Sequence, residues 1–123
     1  NTFPLMGGKW IPDGLFIRDP WFSNLTENLV TVQFNHRYLA MTTATLLLVF
    51  VIRKWSDVTR KQRKALLAMA IAVTLQVSLG ISTLLTIVWV PLASMHQMGA
   101  ILLITSMVWA MHELSIRESI ESI

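Results

Sequence analysis

Residues 65–112 read ALLAMAIAVTLQVSLGISTLLTIVWVPLASMHQMGAILLITSMVWAMH, and they include no Lys, Arg, Asp or Glu. Their polar content is mostly Ser, Thr and Gln, with a single mid-segment histidine, His96. At about 1.5 Å of rise per residue, one helix of this length would be roughly twice as long as a bilayer crossing requires. Pro91 divides the stretch, because proline lacks the N–H that a helix interior uses yet suits a first turn. The simplest solution is two membrane helices, 65–89 and 92–112, joined by a tight turn at Trp89-Val90-Pro91. His96 then lies one turn inside the last apolar segment, where an ionisable side chain is costly unless it has a partner.

The rest of the chain agrees with a membrane setting. Of 123 residues, 54% are hydrophobic and only 14% are charged, against about a quarter charged in ordinary soluble domains. The fold class expected is all-α integral membrane, with three transmembrane helices. The formal charge of +3 comes from a cluster in one short loop, so topology explains it and no nucleic-acid partner is expected. Absence of cysteine excludes disulfides, thiol nucleophiles and thiolate metal sites on this chain. Three helices make a small unit, as expected of a portion of something larger.

Upstream, residues 1–24 are punctuated by Pro4, Gly7-Gly8, Pro12, Gly14 and Pro20, with Trp10, Trp21 and several Phe interspersed. This is the composition of a loop lying at a membrane surface. Asn24-Leu25-Thr26 matches a glycosylation sequon, but Asn24 with Glu27 three residues on reads better as the cap of a helix start. The first membrane helix, 25–53, has an uncharged core of only 38–52 and gains its full length by drawing in His36 and Arg37. A basic loop follows at 53–64: Arg53, Lys54, Arg60, Lys61, Arg63 and Lys64 against a lone Asp57. The positive-inside rule assigns this loop and the polar tail 113–123 to the inner side, and the N-terminal loop to the outer side.

That topology makes a geometric test possible. From His36 to Arg53, and from His96 to Glu113, the distance is about 17 residues, or roughly 25 Å. Two imidazoles are thereby expected at one depth near the outer face, on helices running in the same direction. Such a pair suits one metal centre, and neutral imidazole is a good ligand for haem iron. The competing reading is an ordinary interhelical hydrogen bond. Ala40, Thr43 and Ala44 after His36, with Gly99 and Ala100 after His96, leave room for a porphyrin, although small faces also serve helix packing. Arg37, with Lys9 or Arg18, is positioned to meet propionates. Zinc is disfavoured, since two His without a third ligand fall short of a usual site.

Other polar residues read as structural. His112 favours a helix C-terminal dipole, the Met residues fill gaps, and Gln76 is expected to donate an interhelical hydrogen bond. Ala72, Gln76, Gly80 and Thr83 form a face fit for close packing. The carboxylates make no catalytic pair, and no phosphate loop or nucleophile motif is present.

Four segments in order carry a resemblance: NTFPLMGGKWIP at 1–12, VQFNHR at 32–37, QVSLGISTLL at 76–85 and VPLASMHQ at 90–97. Together they resemble the C-terminal part of the haem A synthase family, the mitochondrial type most closely. The resemblance implies an eight-helix enzyme of two four-helix halves, each offering a histidine pair to a haem. The second-half pair falls on His36 and His96, and that half holds a b-type haem. The enzyme oxidises the C8 methyl of haem O to a formyl, giving haem A for cytochrome c oxidase. The glutamate associated with catalysis belongs to the other half, and the cysteine pair common in bacterial relatives has no counterpart here.

The resemblance further implies the N-terminal half as partner, on a separate chain or segment. Its expected location is the mitochondrial inner membrane, or alternatively a bacterial plasma membrane, with the basic loop on the matrix side. Two other functions compete. One is a non-catalytic subunit of a respiratory assembly derived from the family; the other is a transporter fragment with a proton-handling histidine.

Overall fold

The computed structural model describes residues 2–123, apart from the side chains of 117 and 118. Asn1, which opens the first of the four segments, lies outside the described residues, as do the side chains at 117 and 118 of the polar tail. Three α-helices follow a short 3-10 helix, Trp21–Leu25: α1 Leu29–Lys54, α2 Arg60–Leu85 and α3 Val90–Glu121. Each of the three is long and apolar enough to cross a membrane. The chain divides into two compact units, Asn1–Thr43 and Ala44–Ile123.

In the first unit a polar spine ties the N-terminal loop to α1. Asn24 is fully buried and uses both ends of its carboxamide. Its Oδ1 accepts from the Arg18 N–H at 2.9 Å and from Nδ2 of Asn28 at 3.0 Å, while its Nδ2 donates to the carbonyls of Arg18 and Trp21 at 2.9 and 2.8 Å. Asn24 is therefore neither the helix cap nor a sequon acceptor open to modification. The cap is Asn28, whose Oδ1 accepts from the N–H groups of Val30 and Thr31 at 3.1 and 3.3 Å. The helix starts four residues later than expected because residues 21–25 take the tighter 3-10 form. Thr31 completes the spine by accepting from the Phe16 N–H at 3.2 Å.

At the loop's far end, Met6 and Lys9 exchange backbone hydrogen bonds of 2.9 and 3.1 Å across Gly7-Gly8. Both glycines have positive φ, 57° and 79°, as a two-residue turn of this hand demands.

The second unit is built on the antiparallel pair α2 and α3. Ala65, Leu66 and Met69 of α2 pack with Ala110 of α3 and with Val51 from the end of α1. The same register holds along the pair, with Gln62 meeting Glu113 near one end and Gly80 meeting His96 toward the other.

Helix ends differ from the sequence expectation wherever capping outweighs charge. The basic loop 53–64 shortens to residues 55–59, because Thr59 and Gln62 form a capping box that starts α2 at Arg60. Such a cap contributes about 1 kcal/mol, while each cation in an exposed first turn costs a few tenths of that scale. At the other end α2 stops at Leu85, short of residue 89. Thr86 caps it by donating its N–H to the Ser82 carbonyl at 3.0 Å. The turn to α3 holds Ile87 and Val88 at φ 54° and 56°, a strained region for β-branched residues. Pro91 sits in the first turn of α3, as its missing N–H allows. The polar tail is helical as far as Glu121.

Replacing Asn24 by Ala strands two carbonyls and an N–H, and is expected to cost about 2 kcal/mol within the first unit. Limited proteolysis in detergent checks it: cleavage ahead of Leu29 should accelerate while the α2–α3 pair stays resistant. Unchanged cleavage would remove Asn24 from its organising role.

Candidate functional site

His96 lies in the second turn of α3, and its ring is received by α2. Nδ1 of His96 stands 3.1 Å from the backbone carbonyl oxygen of Gln76. A carbonyl oxygen only accepts, so Nδ1 carries the proton and donates. In the neutral ring the lone pair is then on Nε2. Metal-bound histidines commonly have this arrangement, in which one ring N–H is held by a carbonyl and the other nitrogen carries the ligating pair.

Space for the ring comes from Gly80. A Cβ built there would stand 2.9 Å from Cε1 of His96 and 3.5 Å from each ring nitrogen. The exchange is mutual, since a Cβ on Gly99 of α3 would collide with the Gln76 carboxamide oxygen. That oxygen is buried without a hydrogen-bond partner. Two expectations are corrected here. The interhelical bond at Gln76 runs through its backbone carbonyl instead of its side-chain donor. The room beside Gly99 is filled by Gln76 and is not left for a macrocycle. Gln76 and Gly80 of the expected packing face do meet α3, and Thr83 is buried with its hydroxyl donating to the Leu79 carbonyl of its own helix at 2.8 Å.

His36 belongs to the first unit, in the second turn of α1. The N-terminal loop is fastened to α1 at Arg37 and Tyr38, the residues that follow it in sequence. Arg37, only 7% exposed, donates from one guanidinium nitrogen to the Leu5 carbonyl at 2.9 Å and lies over the Phe3 ring. Tyr38 donates its hydroxyl to the Trp10 carbonyl at 3.2 Å and packs on Phe34. His36 itself is exposed, along with Leu39, Ala40 and Thr43 on the same helix. Lys9 pairs with Asp13 and Arg18 with Glu27 on the loop surface. His112 is exposed on the C-terminal half of α3.

Beside His112, Glu113 is a site that hydropathy alone passed over. Its carboxylate accepts from Lys61 Nζ and Trp109 Nε1, both at 3.2 Å, and its backbone carbonyl accepts from Gln62 Nε2 at 2.9 Å. The Thr-x-x-Gln pattern at 59–62 is the sequence signal that could have found this end of α2. Among the described residues, no group of three or more His, Cys, Asp or Glu gathers to hold a metal ion.

The close fit gives a directional test. Gly80→Ala forces the imidazole off its carbonyl and should destabilise the helix pair by roughly 1–3 kcal/mol. Gly99→Ala meets the end of a flexible side chain, which can turn aside, and should cost less. Nitrogen-15 NMR of the His96 ring is the readout: the donating Nδ1–H should vanish in the first variant and persist in the second. Persistence in both would mean the ring is not held by this contact.

Comparison with known proteins places these features in context. The family model described as cytochrome oxidase assembly protein matches residues 1–108. The chain is 44% identical over 115 residues to the "Heme A synthase" of Nitrosospira multiformis, covering 93% of this chain and 32% of that protein. It is 46% identical over 116 residues to human "Heme A synthase COX15", covering 93% and 28%. With the Arabidopsis thaliana "Heme A synthase COX15" the identity is 45% over 120 residues, covering 93% and 25%. The chain thus spans about a quarter to a third of the length of these relatives. No solved structure matches it.

Proposed function

This chain belongs to the family of cytochrome oxidase assembly proteins, and from that membership we propose that it is the C-terminal, haem-holding portion of a haem A synthase. The reaction assigned to the whole enzyme is oxidation of the C8 methyl of haem O to a formyl. In this reading His36 and His96 would hold a b-type haem through its iron, and the N-terminal half would supply the remaining helices. The single observation that carries the reading is the fit of His96: its Nδ1–H held 3.1 Å from the Gln76 carbonyl, with the lone pair on Nε2. That is the donor form required of an axial imidazole.

The bound haem would supply one-electron transfer. The protein's own contribution is orientation and insulation. Gly80 and the Gln76 carbonyl fix the His96 ring, so little freedom is lost when a ligand is taken up. Arg37 anchors the N-terminal loop beside His36, and its charge, one residue from that ligand, favours carboxylates at the same level. The cluster of basic residues at 53–64 supports an orientation with the loop between α1 and α2, and the end of α3, on the matrix side of a mitochondrial inner membrane or the cytoplasmic side of a bacterial one.

Bis-imidazole ligation predicts a low-spin haem spectrum in the purified protein. His36→Ala and His96→Ala should each abolish it while leaving helical content unchanged by circular dichroism. Haem content equal to the parent in both variants would sink the assignment. Deleting the gene separates the enzyme from a subunit role. Loss of haem A supports the enzyme, whereas normal haem A with a damaged oxidase would favour a non-catalytic member of a respiratory assembly.

A further inference from the structure

We propose that the basic surface where α1 ends and α2 begins is a binding site for the headgroups of anionic phospholipids. It stands independently of the haem assignment. Arg53 and Lys54 close the last turn of α1, while Arg60, Lys61, Arg63 and Lys64 all fall within the first five residues of α2. Cations at the end of α1 complement its dipole, but those at the start of α2 oppose theirs, and no acid occupies that first turn. Arg60 and Lys64 are also one turn apart on the same side of the helix, where like charges repel.

Two of the six cations have protein partners. Lys61 reaches Glu113 at 3.2 Å, and Arg63 lies 5.2 Å from the Trp55 ring centroid while donating to the Trp55 carbonyl at 3.0 Å. Arg53, Lys54, Arg60 and Lys64 are exposed, and Asp57 is the one acid between α1 and α2. A surface built only for solubility would mix signs or place acids in the first turn of α2. Here six cations face a lone Asp57 in the loop and Glu113 at Lys61, the first turn of α2 holds no acid, and an external anion is the complement of the remaining cations.

The leaflet itself is the source of that anion. The patch joins two helices that are each long and apolar enough to cross a membrane. Trp55, 38% exposed, is of the residue type that settles at headgroup depth. Arg60 and Arg53 present forks that match phosphate oxygens, and Lys54 and Lys64 add point charges. Basic clusters just beyond a membrane helix favour anionic lipid for the same reason.

The test supplies the full chain in non-ionic detergent with equimolar phosphatidylglycerol and phosphatidylcholine, and counts retained lipids by native mass spectrometry. Phosphatidylglycerol should be retained preferentially, and the preference should fall about fivefold for each cation removed in Lys54→Gln/Arg60→Gln/Lys64→Gln. The charge-keeping variant Arg60→Lys/Lys64→Arg should retain the preference, which separates charge from a folding defect. Equal retention of the two lipids by the parent chain would overturn the proposal. So would an undiminished preference in the triple variant, or release of the lipid by millimolar inorganic phosphate, which would assign the site to a soluble anion.

Discussion

Two missing Cβ atoms allow the second unit to exist in this form. In a bilayer the lipid tails are as apolar as leucine, so two helices gain little by merely hiding apolar surface from each other. What remains is close packing and hydrogen bonding, and both require the backbones to approach. Gly80 admits the His96 ring and Gly99 admits the Gln76 carboxamide, one glycine on each helix and each filled from the other side. The His96 bond to a backbone carbonyl is possible only because a side chain at position 80 does not stand in the way. Packing and site geometry are therefore one constraint.

The opposite end of the same pair is held differently. There Gln62 and Glu113 supply polar contacts around a small core of Ala65, Leu66, Met69 and Ala110. Gln62 does double duty, since its Oε1 accepts from the Thr59 N–H at 2.9 Å to cap α2 while its Nε2 bonds α3. One residue so couples where α2 begins to where α3 must lie, and the register it sets carries Gly80 to His96 about five turns away. An error of one residue at Gln62 would turn the glycine away from the imidazole by about 100°. The polar latch and the glycine pair are thus two statements of a single register.

Hydropathy made the three helices legible, and Pro91 located the break between the last two. Of the expected face of Ala72, Gln76, Gly80 and Thr83, the contacts of Gln76 and Gly80 with α3 were legible as well, because small and weakly polar residues one turn apart have few other uses in lipid. The actual partner of His96 was hidden, since a backbone carbonyl leaves no mark in a sequence. Helix ends were misjudged for a related reason. Charge suggested a loop as far as residue 64, whereas Thr59 and Gln62 satisfied the first N–H groups of α2 five residues earlier. Asn24 was expected to provide the cap that Asn28 supplies, because both precede a helical run and only the 3-10 turn between them decides which one caps α1.

The two histidines are prepared by different chemistry, each within its own unit. His96 is fixed directly, by a hydrogen bond to its ring and a cradle shaped for it. Around His36 the backbone is fixed: Asn28 caps the helix that bears it, and Arg37 and Tyr38, next in sequence, are fastened to the N-terminal loop. A ring held at its nitrogen has little rotational entropy left to lose on taking a ligand. That hold follows from where glycine occurs, since position 80 lets a neighbouring helix reach the ring of His96.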